Sequence, residues 1–245
     1  MLGSLEAQEL RFFKNEKALR IMSYNVRNAK GMDMKTDYAR VANVINGVKP
    51  GVVAIQEVDK ATKRSKGIDV LAELALLTDA HGTFGAAINY DGGGKYGVGI
   101  LSKEPPLNIR SIALPGSEEA RTVLIAEFED YVLACTHWSL TEGDRIASIT
   151  IVNELAKQYN KPFFLAGDFN MTPESTECFL LAESWEALNN LNENTFPSDN
   201  PDRCIDYIFL YSEMNSTVNV LQNRIVDEPI ASDHRPIFVD VELYI

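Results

Sequence analysis

Two short stretches place carboxylates beside other polar groups at the edges of apolar runs: Ala166-Gly167-Asp168-Phe169-Asn170 and Ser232-Asp233-His234-Arg235-Pro236. The first closes the apolar run that begins at Pro162, and the second leads into the run from Pro236 to Val241. Such side chains are costly to bury without partners. Asn25, Glu57, His137 and Asp206 stand in similar places along the chain. Together these residues imply one shared polar site at the rim of a sheet core.

Asn25 ends Ile21-Met22-Ser23-Tyr24-Asn25 and Glu57 ends Val53-Ala54-Ile55-Gln56-Glu57, two strand-like runs separated by a helical pattern. A right-handed crossover brings the C-terminal ends of such strands together, so both side chains can reach one point. A carboxylate with an amide oxygen makes a hard-oxygen site suited to Mg2+. Taken singly, each has a plainer reading, a turn-capping Asn and a solvated Glu. Asp168 and Asn170 are one residue apart, so on an extended strand end they share a face while Phe169 packs opposite. One could contact an attacking water and the other a phosphate oxygen. An Asx turn leading towards Pro173 is the alternative.

The chain has 3 histidines, and two of them, His137 and His234, lie next to these carboxylate motifs, while His81 precedes a glycine. A histidine held by a carboxylate keeps one tautomer and can donate to a phosphoryl oxygen or take a proton from water. Asp206 interrupts the apolar run Cys204-Ile205-Asp206-Tyr207-Ile208 and is the candidate for that orienting carboxylate; a pairing with Arg203 is its plainer reading. Arg64 and Arg121 are the candidate phosphate clamps, because a guanidinium fork matches phosphate bidentately. Arg145 is a weaker candidate, and Lys60, Lys63 and Lys66 read as a solvated loop.

The elements that must position these residues are legible in the periodicity. β-Branched and aromatic runs predict strands over Leu19 to Val26, Val52 to Val58, Phe84 to Tyr90, Tyr96 to Ser102, Arg121 to Glu129, Tyr131 to Ser139, Pro162 to Phe169, Cys204 to Tyr211, Val218 to Val226 and Pro236 to Tyr244. Apolar residues at helical spacing predict helices over Tyr38 to Val48, Ile68 to Leu77, Asp144 to Tyr159 and Glu174 to Glu183, with Asp37 and Pro173 as start signals for the first and last. Helix crossovers alternate with hairpin-like neighbours, so parallel and antiparallel pairing should coexist in mixed sheets with helices outside.

No linker or repeat divides the 245 residues, which read as a single domain with residues 1–18 as an N-terminal extension. A net charge of -12 and a pI near 4.8 remove whole-molecule attraction to nucleic acid or anionic membrane. The 3 cysteines lack zinc-site spacing and are too few for a disulfide framework, so they read as small buried residues. No apolar run reaches the ~18 residues of a membrane span. Compartment stays open between the cytoplasm and export with a removed signal.

In order along the chain, Ser23-Tyr24-Asn25-Val26-Arg27, Gln56-Glu57-Val58-Asp59, Tyr96-Gly97-Val98-Gly99-Ile100-Leu101-Ser102, Thr136-His137, Gly167-Asp168-Phe169-Asn170, Ile205-Asp206-Tyr207-Ile208 and Ser232-Asp233-His234-Arg235-Pro236 resemble the blocks of the endonuclease/exonuclease/phosphatase superfamily, the DNase I-like phosphoesterases. The resemblance implies a four-layer α/β sandwich, two packed mixed sheets flanked by helices. It implies Mg2+-dependent hydrolysis of a phosphodiester or phosphomonoester by in-line attack of water, with Mn2+ able to substitute. By the same resemblance, Asn25, Glu57 and Asp233 form the metal site, and Asp168 and Asn170 position water and phosphate. His234, oriented by Asp206, contacts the phosphate or acts as base, and His137 is the second histidine.

Arg203-Cys204-Ile205-Asp206 replaces the block of inositol polyphosphate phosphatases, and Tyr24 stands where abasic-site endonucleases carry Trp. The nearest likeness is to poorly characterised bacterial hydrolases of the group, many of them exported. A monomer acting on a small phosphate ester is the expectation, with a non-specific nuclease as the alternative and a non-catalytic binding module as the third.

Overall fold

Continuous burial decides the architecture, because strands apolar on both faces must be covered on both faces. The computed structural model describes residues 16–244. In one sheet lie β1 (Glu16–Asn25), β2 (Val52–Lys60), β3 (His81–Asn89), β4 (Lys95–Ser102), β11 (Val218–Ile225) and β12 (Ile237–Tyr244). The other sheet holds β5 (Asn108–Leu114), β6 (Arg121–Glu127), β7 (Val132–His137), β8 (Phe163–Asp168), β9 (Trp185–Ala187) and β10 (Asp206–Tyr211). The strand orders are β11-β12-β1-β2-β4-β3 and β5-β6-β7-β8-β10-β9. Helices α1 (Tyr38–Val48), α2 (Val70–Thr78), α3 (Glu142–Ala156) and α4 (Thr176–Ala182) complete the element set.

Ile21, Ala54, Leu133, Phe164 and Ile208 fill the space between the sheets. Their strand neighbours divide between two outer layers: Met22 and Val53 pack with Val41 and Ile45 of α1, while Val132 and Leu165 pack with Val152 of α3 and Leu181 of α4. The result is the expected four-layer sandwich. In each sheet one pair is parallel, β1 with β2 and β7 with β8, and the other pairings are antiparallel. Helix α1 makes the first crossover and α3 the second. Both crossovers deliver strand C-termini to the same end of the sandwich, where β10 and β12, running antiparallel, begin.

Asp37 caps α1 by accepting from the Arg40 amide at 2.9 Å, as its position predicts. The start of α4 differs from expectation, since Ser175 rather than Pro173 is the cap, its hydroxyl accepting from the Cys178 amide. Strand β5 has no counterpart in the sequence reading. As an edge strand with one exposed face it carries Asn, Arg and Ser at positions a buried strand would fill with apolar residues. Strand β9 spans 3 residues, too short to show a period. Strand β1 opens at Glu16, so residues 16–18 of the expected extension are strand, and the rest of that stretch lies outside the described residues. All three cysteines are free and buried. Among the described residues no helix is long and apolar enough to cross a membrane.

Gly167, in the register β7 to β8, faces Thr136 across the parallel pair. A Cβ there would collide with the Thr136 carbonyl oxygen, which belongs to backbone and cannot swing away. Gly167→Ala should therefore destabilise the fold by roughly 1–3 kcal/mol, the range for overpacking a buried position, seen as a lower urea midpoint at unchanged m-value. An unchanged midpoint would show that the two strands separate freely at this point.

Candidate active site

The inter-sheet face of each strand ends in a polar residue. With a side-chain period of two, Asn25 continues the face of Ile21, His137 that of Leu133, and Asp168 that of Phe164, while Asp206 begins the face that Ile208 continues. Glu57 breaks this rule. By alternation it would point to the helix side with Val53 and Ile55, but the β2–β4 register shifts between Ile55 and Val58, and Glu57 adopts φ 59°. This bulge turns the carboxylate towards the other site residues, a re-aiming function that bulges serve beside active sites.

The Asn25 amide Nδ2 donates to Glu57 Oε1 at 3.1 Å and to Asp168 Oδ2 at 3.0 Å, joining a strand end of each sheet. Its oxygen accepts from the Arg27 amide at 3.0 Å. The amide oxygen expected to face a metal takes this one backbone bond, while Nδ2 braces the two carboxylates. The second inter-sheet link runs from His234 Nδ1 to Asp206 Oδ2 at 2.9 Å. The same carboxylate oxygen accepts from the Thr195 hydroxyl at 2.6 Å, while Asp206 Oδ1 is buried without a partner.

Both imidazoles face Asp168. His137 Nε2 and His234 Nε2 each lie 3.5 Å from Asp168 Oδ2. Their electrostatics diverge. Burial lowers the affinity of each for a proton, but at His234 the carboxylates of Asp206 and Asp168 outweigh it and push the value up to about 10. At His137 burial prevails over Asp168, and the nearby Arg121 adds to it, giving about 4. His234 is therefore an imidazolium and His137 a neutral ring at neutral pH. Burial raises the Glu57 carboxyl above its ordinary value, the Asn25 hydrogen bond opposes this, and the negative charges of Asp168 and Asp233 add to the rise.

The remaining candidates sit around this centre. Asn170 lies beyond the end of β8 at φ 50°, so it does not share an extended face with Asp168; its Nδ2 donates to the Trp138 carbonyl at 2.9 Å and its amide to Asp168 Oδ1. Phe169 packs on the opposite side, against Trp138 and Phe209. Asp233 pairs with Arg27 at 3.2 Å. Arg121 stands beside His137 with Nη2 on Glu118 and Nη1 on Glu119.

Arg64, expected as a phosphate clamp, closes instead on the buried Asp59 through Nε and Nη2, both at 2.8 Å. Asp59 also takes the Asn28 amide and the Thr62 hydroxyl, so this arginine fastens a loop. Arg145 binds Glu177, and Arg203 pairs with Asp202, not Asp206. His81 opens β3 beside Ser102, at the far end of the sandwich.

Residues the motifs did not single out as functional complete the site. Thr195 holds Asp206, and the Ser232 hydroxyl donates to the Asn25 carbonyl at 2.6 Å, fixing the segment that carries His234 onto the end of β1. Phe196 lies against the His234 ring, centroids 4.8 Å apart. A Thr followed by an aromatic residue and a Pro ahead of Asp206 is the only sequence trace of this loop's role.

Asp168, Asp206 and His234 each offer a ligand atom within 4.8 Å of the others. The whole constellation is a buried array of carboxylates with one charged and one neutral imidazole, suited to activating water against an anionic electrophile.

Known structures share this framework. A protein titled endonuclease/exonuclease/phosphatase from Bacteroides vulgatus is 19% identical with a TM-score of 0.77, covering 93% of this chain and 99% of its own. A second with that title, from Beutenbergia cavernae, is 22% identical with a TM-score of 0.74, over 92% of this chain and 72% of its own. The mannosyl-6-phosphatase of Bacteroides thetaiotaomicron is 18% identical with a TM-score of 0.70, over 91% and 99%. At these identities the likeness is one of fold. No curated protein sequence matches the chain at a significant level. The family model described as the Endonuclease/Exonuclease/phosphatase family matches residues 22–234, and on that match the chain belongs to this family.

Proposed function

We propose that this chain is a divalent-metal-dependent phosphoesterase that hydrolyses a small phosphate ester by in-line attack of water. The observation that carries the reading is the convergence of Asn25, Glu57, Asp168, Asp206 and His234 at the junction of the two sheets.

The donor chemistry fits a hard cation. Glu57 and Asp168 are drawn together by Asn25, and the buried Glu57 carboxyl, raised mainly by burial and further by Asp168 and Asp233, would be compensated by a cation. Glu57 would hold Mg2+, or Mn2+ in its place, with Asn25 fixing the carboxylate and Asp233 adding negative charge from its pair with Arg27. His234 is poorly placed as a ligand through Nδ1, which Asp206 occupies. A cation bound there supplies neutralisation of charge on the phosphoryl oxygens.

The chain's own groups divide the rest of the work by protonation state. His234, charged and held by Asp206, presents Nε2–H to a phosphoryl oxygen as negative charge develops. Asp168 is the proton acceptor for the attacking water, since it is the carboxylate both imidazoles face. His137, neutral, donates or accepts without adding charge. Asn170 holds the turn after Asp168 through Trp138 and leaves amide capacity for a phosphate oxygen.

A small substrate follows from the surrounding cations. Arg27, Arg64, Arg121, Arg203 and Arg235 are each in an ion pair with a carboxylate of the chain. A polynucleotide needs cations along its phosphates; these five arginines are already paired, and a net charge of -12 opposes its approach. The sugar-phosphate specificity in the name of the Bacteroides thetaiotaomicron neighbour is of the same substrate size.

Turnover of bis-p-nitrophenyl phosphate or p-nitrophenyl phosphate should require Mg2+ or Mn2+ and stop in EDTA; no metal-dependent turnover of either ester would sink the reading. His234→Ala and Asp168→Asn should each lower kcat by about a thousandfold or more with KM little changed, because both act on the transition state. Asn25→Ala should raise the metal concentration for half-maximal rate by about 10- to 100-fold, the usual effect of losing a group that orients a ligand. Near-native metal dependence in that variant would remove Glu57 from the assigned role. Arg64→Met should keep turnover within about threefold while lowering stability by roughly 1–2 kcal/mol, since its half-exposed pair with buried Asp59 is screened. A large fall in kcat/KM at unchanged stability would restore Arg64 as a substrate contact.

A further inference from the structure

Arg121 opens β6 with its side chain 6% exposed, and its guanidinium carries more than one signal. Nη2 and Nη1 are held by Glu118 at 3.2 Å and Glu119 at 3.3 Å, whereas Nε is buried and has no partner. A buried donor left without an acceptor is costly, which makes an acceptor at this position favourable. The arginine lines a gap of about 10 Å3 together with Tyr96, Val98, Thr122 and His137. Its wall is thus shared with the centre, since His137 faces Asp168. A gap of this size holds about one water-sized group, well short of a phosphate.

Two carboxylates against one guanidinium leave the position net negative. Glu118 cannot leave easily, because its carboxylate also accepts from the Leu140 amide and the Ser139 hydroxyl, both at 2.7 Å. Those bonds tie the segment after β7 to the turn before β6. The Tyr96 hydroxyl senses the same field: burial raises it, and the charges of Glu57 and Glu119 raise it further.

We infer that Glu118 and Glu119 are specificity-determining residues: by holding and neutralising Arg121 they make a subsite beside His137 that admits one uncharged oxygen acceptor of the substrate and repels a second phosphate. This deepens the phosphoesterase reading and rests on it for the place of the scissile phosphate. An alcohol, ether or sugar hydroxyl oxygen meets the size and charge of the subsite, and the neighbouring phosphate of a polynucleotide does not.

The test is binding, read without turnover. Fluorescence anisotropy of a fluorescein-labelled hexanucleotide in EDTA compares the native chain with Glu119→Gln and with Glu186→Gln, which removes an equal charge at the exposed Glu186 of β9, paired with Leu210 away from the Asp206 end of β10. Glu119→Gln should tighten binding by about 5- to 10-fold, the scale of one removed like-charge contact, and Glu186→Gln should not. No tightening in Glu119→Gln, or equal tightening in both variants, overturns the inference. Bis-p-nitrophenyl phosphate turnover by the native chain with Mg2+ reports separately on the hydrolytic reading, whose failure would leave the binding comparison decisive for the subsite.

Discussion

Two hydrogen bonds between buried groups, Asn25 to Asp168 and His234 to Asp206, cross from one sheet to the other, and the site exists only because they do. Asn25 ends β1 and His234 lies just ahead of β12 in the first sheet, while Asp168 ends β8 and Asp206 opens β10 in the second. Each carboxylate is almost wholly buried, a state tolerated only with donors at hand. The apolar packing of Ile21, Ala54, Leu133 and Phe164 below brings the sheets together without specifying register between them. The polar seam above supplies that specificity, because sliding one sheet would leave several charges unpaired at once. Folding and site assembly are therefore one event at this end of the molecule.

Much of this was legible because it follows from two periods. The apolar spacing of Val41, Val44, Ile45 and Val48 located α1 to the residue, and the runs around Ile21 and Val53 located the strands it joins. From there, crossover handedness placed Asn25 and Glu57 together. Asp168 is marked by its place at the end of an apolar strand run, and His137 by lying at a strand end next to a carboxylate motif. What stayed hidden depends on partners distant in sequence. Nothing in the run Val53 to Asp59 announces that a bulge must turn Glu57 from the helix side, and the amide of Asn25 reads identically whichever way it faces. The arginines show the same limit. Arg64 looks like a free clamp until Asp59 is seen buried beneath it, and Arg121 until the fold brings both preceding glutamates onto its fork.

That pattern of paired arginines gives the acidic composition a structural meaning. On the proposed reading, a chain with a net charge of -12 must overcome repulsion of an anionic substrate. Five arginines that could offset this are tied to carboxylates, so on that reading the attraction arises at the centre itself. His234 supplies one positive charge there, protected from titration by Asp206 and Asp168. A bound cation would supply the rest. Attraction confined to a point selects for a single phosphate, whereas attraction spread along a groove selects for a chain of them.

The unequal histidines explain why one carboxylate can serve two rings. Were both imidazoles charged, Asp168 would face cations on two sides; were both neutral, the buried carboxylate would lack compensation. The fold separates them by their second neighbours. Asp206 backs His234 and Thr195 backs Asp206, whereas His137 has Arg121 nearby, whose charge works against protonation. One ring therefore sets a positive charge against Asp168 and the other does not. Groups outside the pair of rings, Asp206 for His234 and Arg121 for His137, thus help to set the two charge states apart.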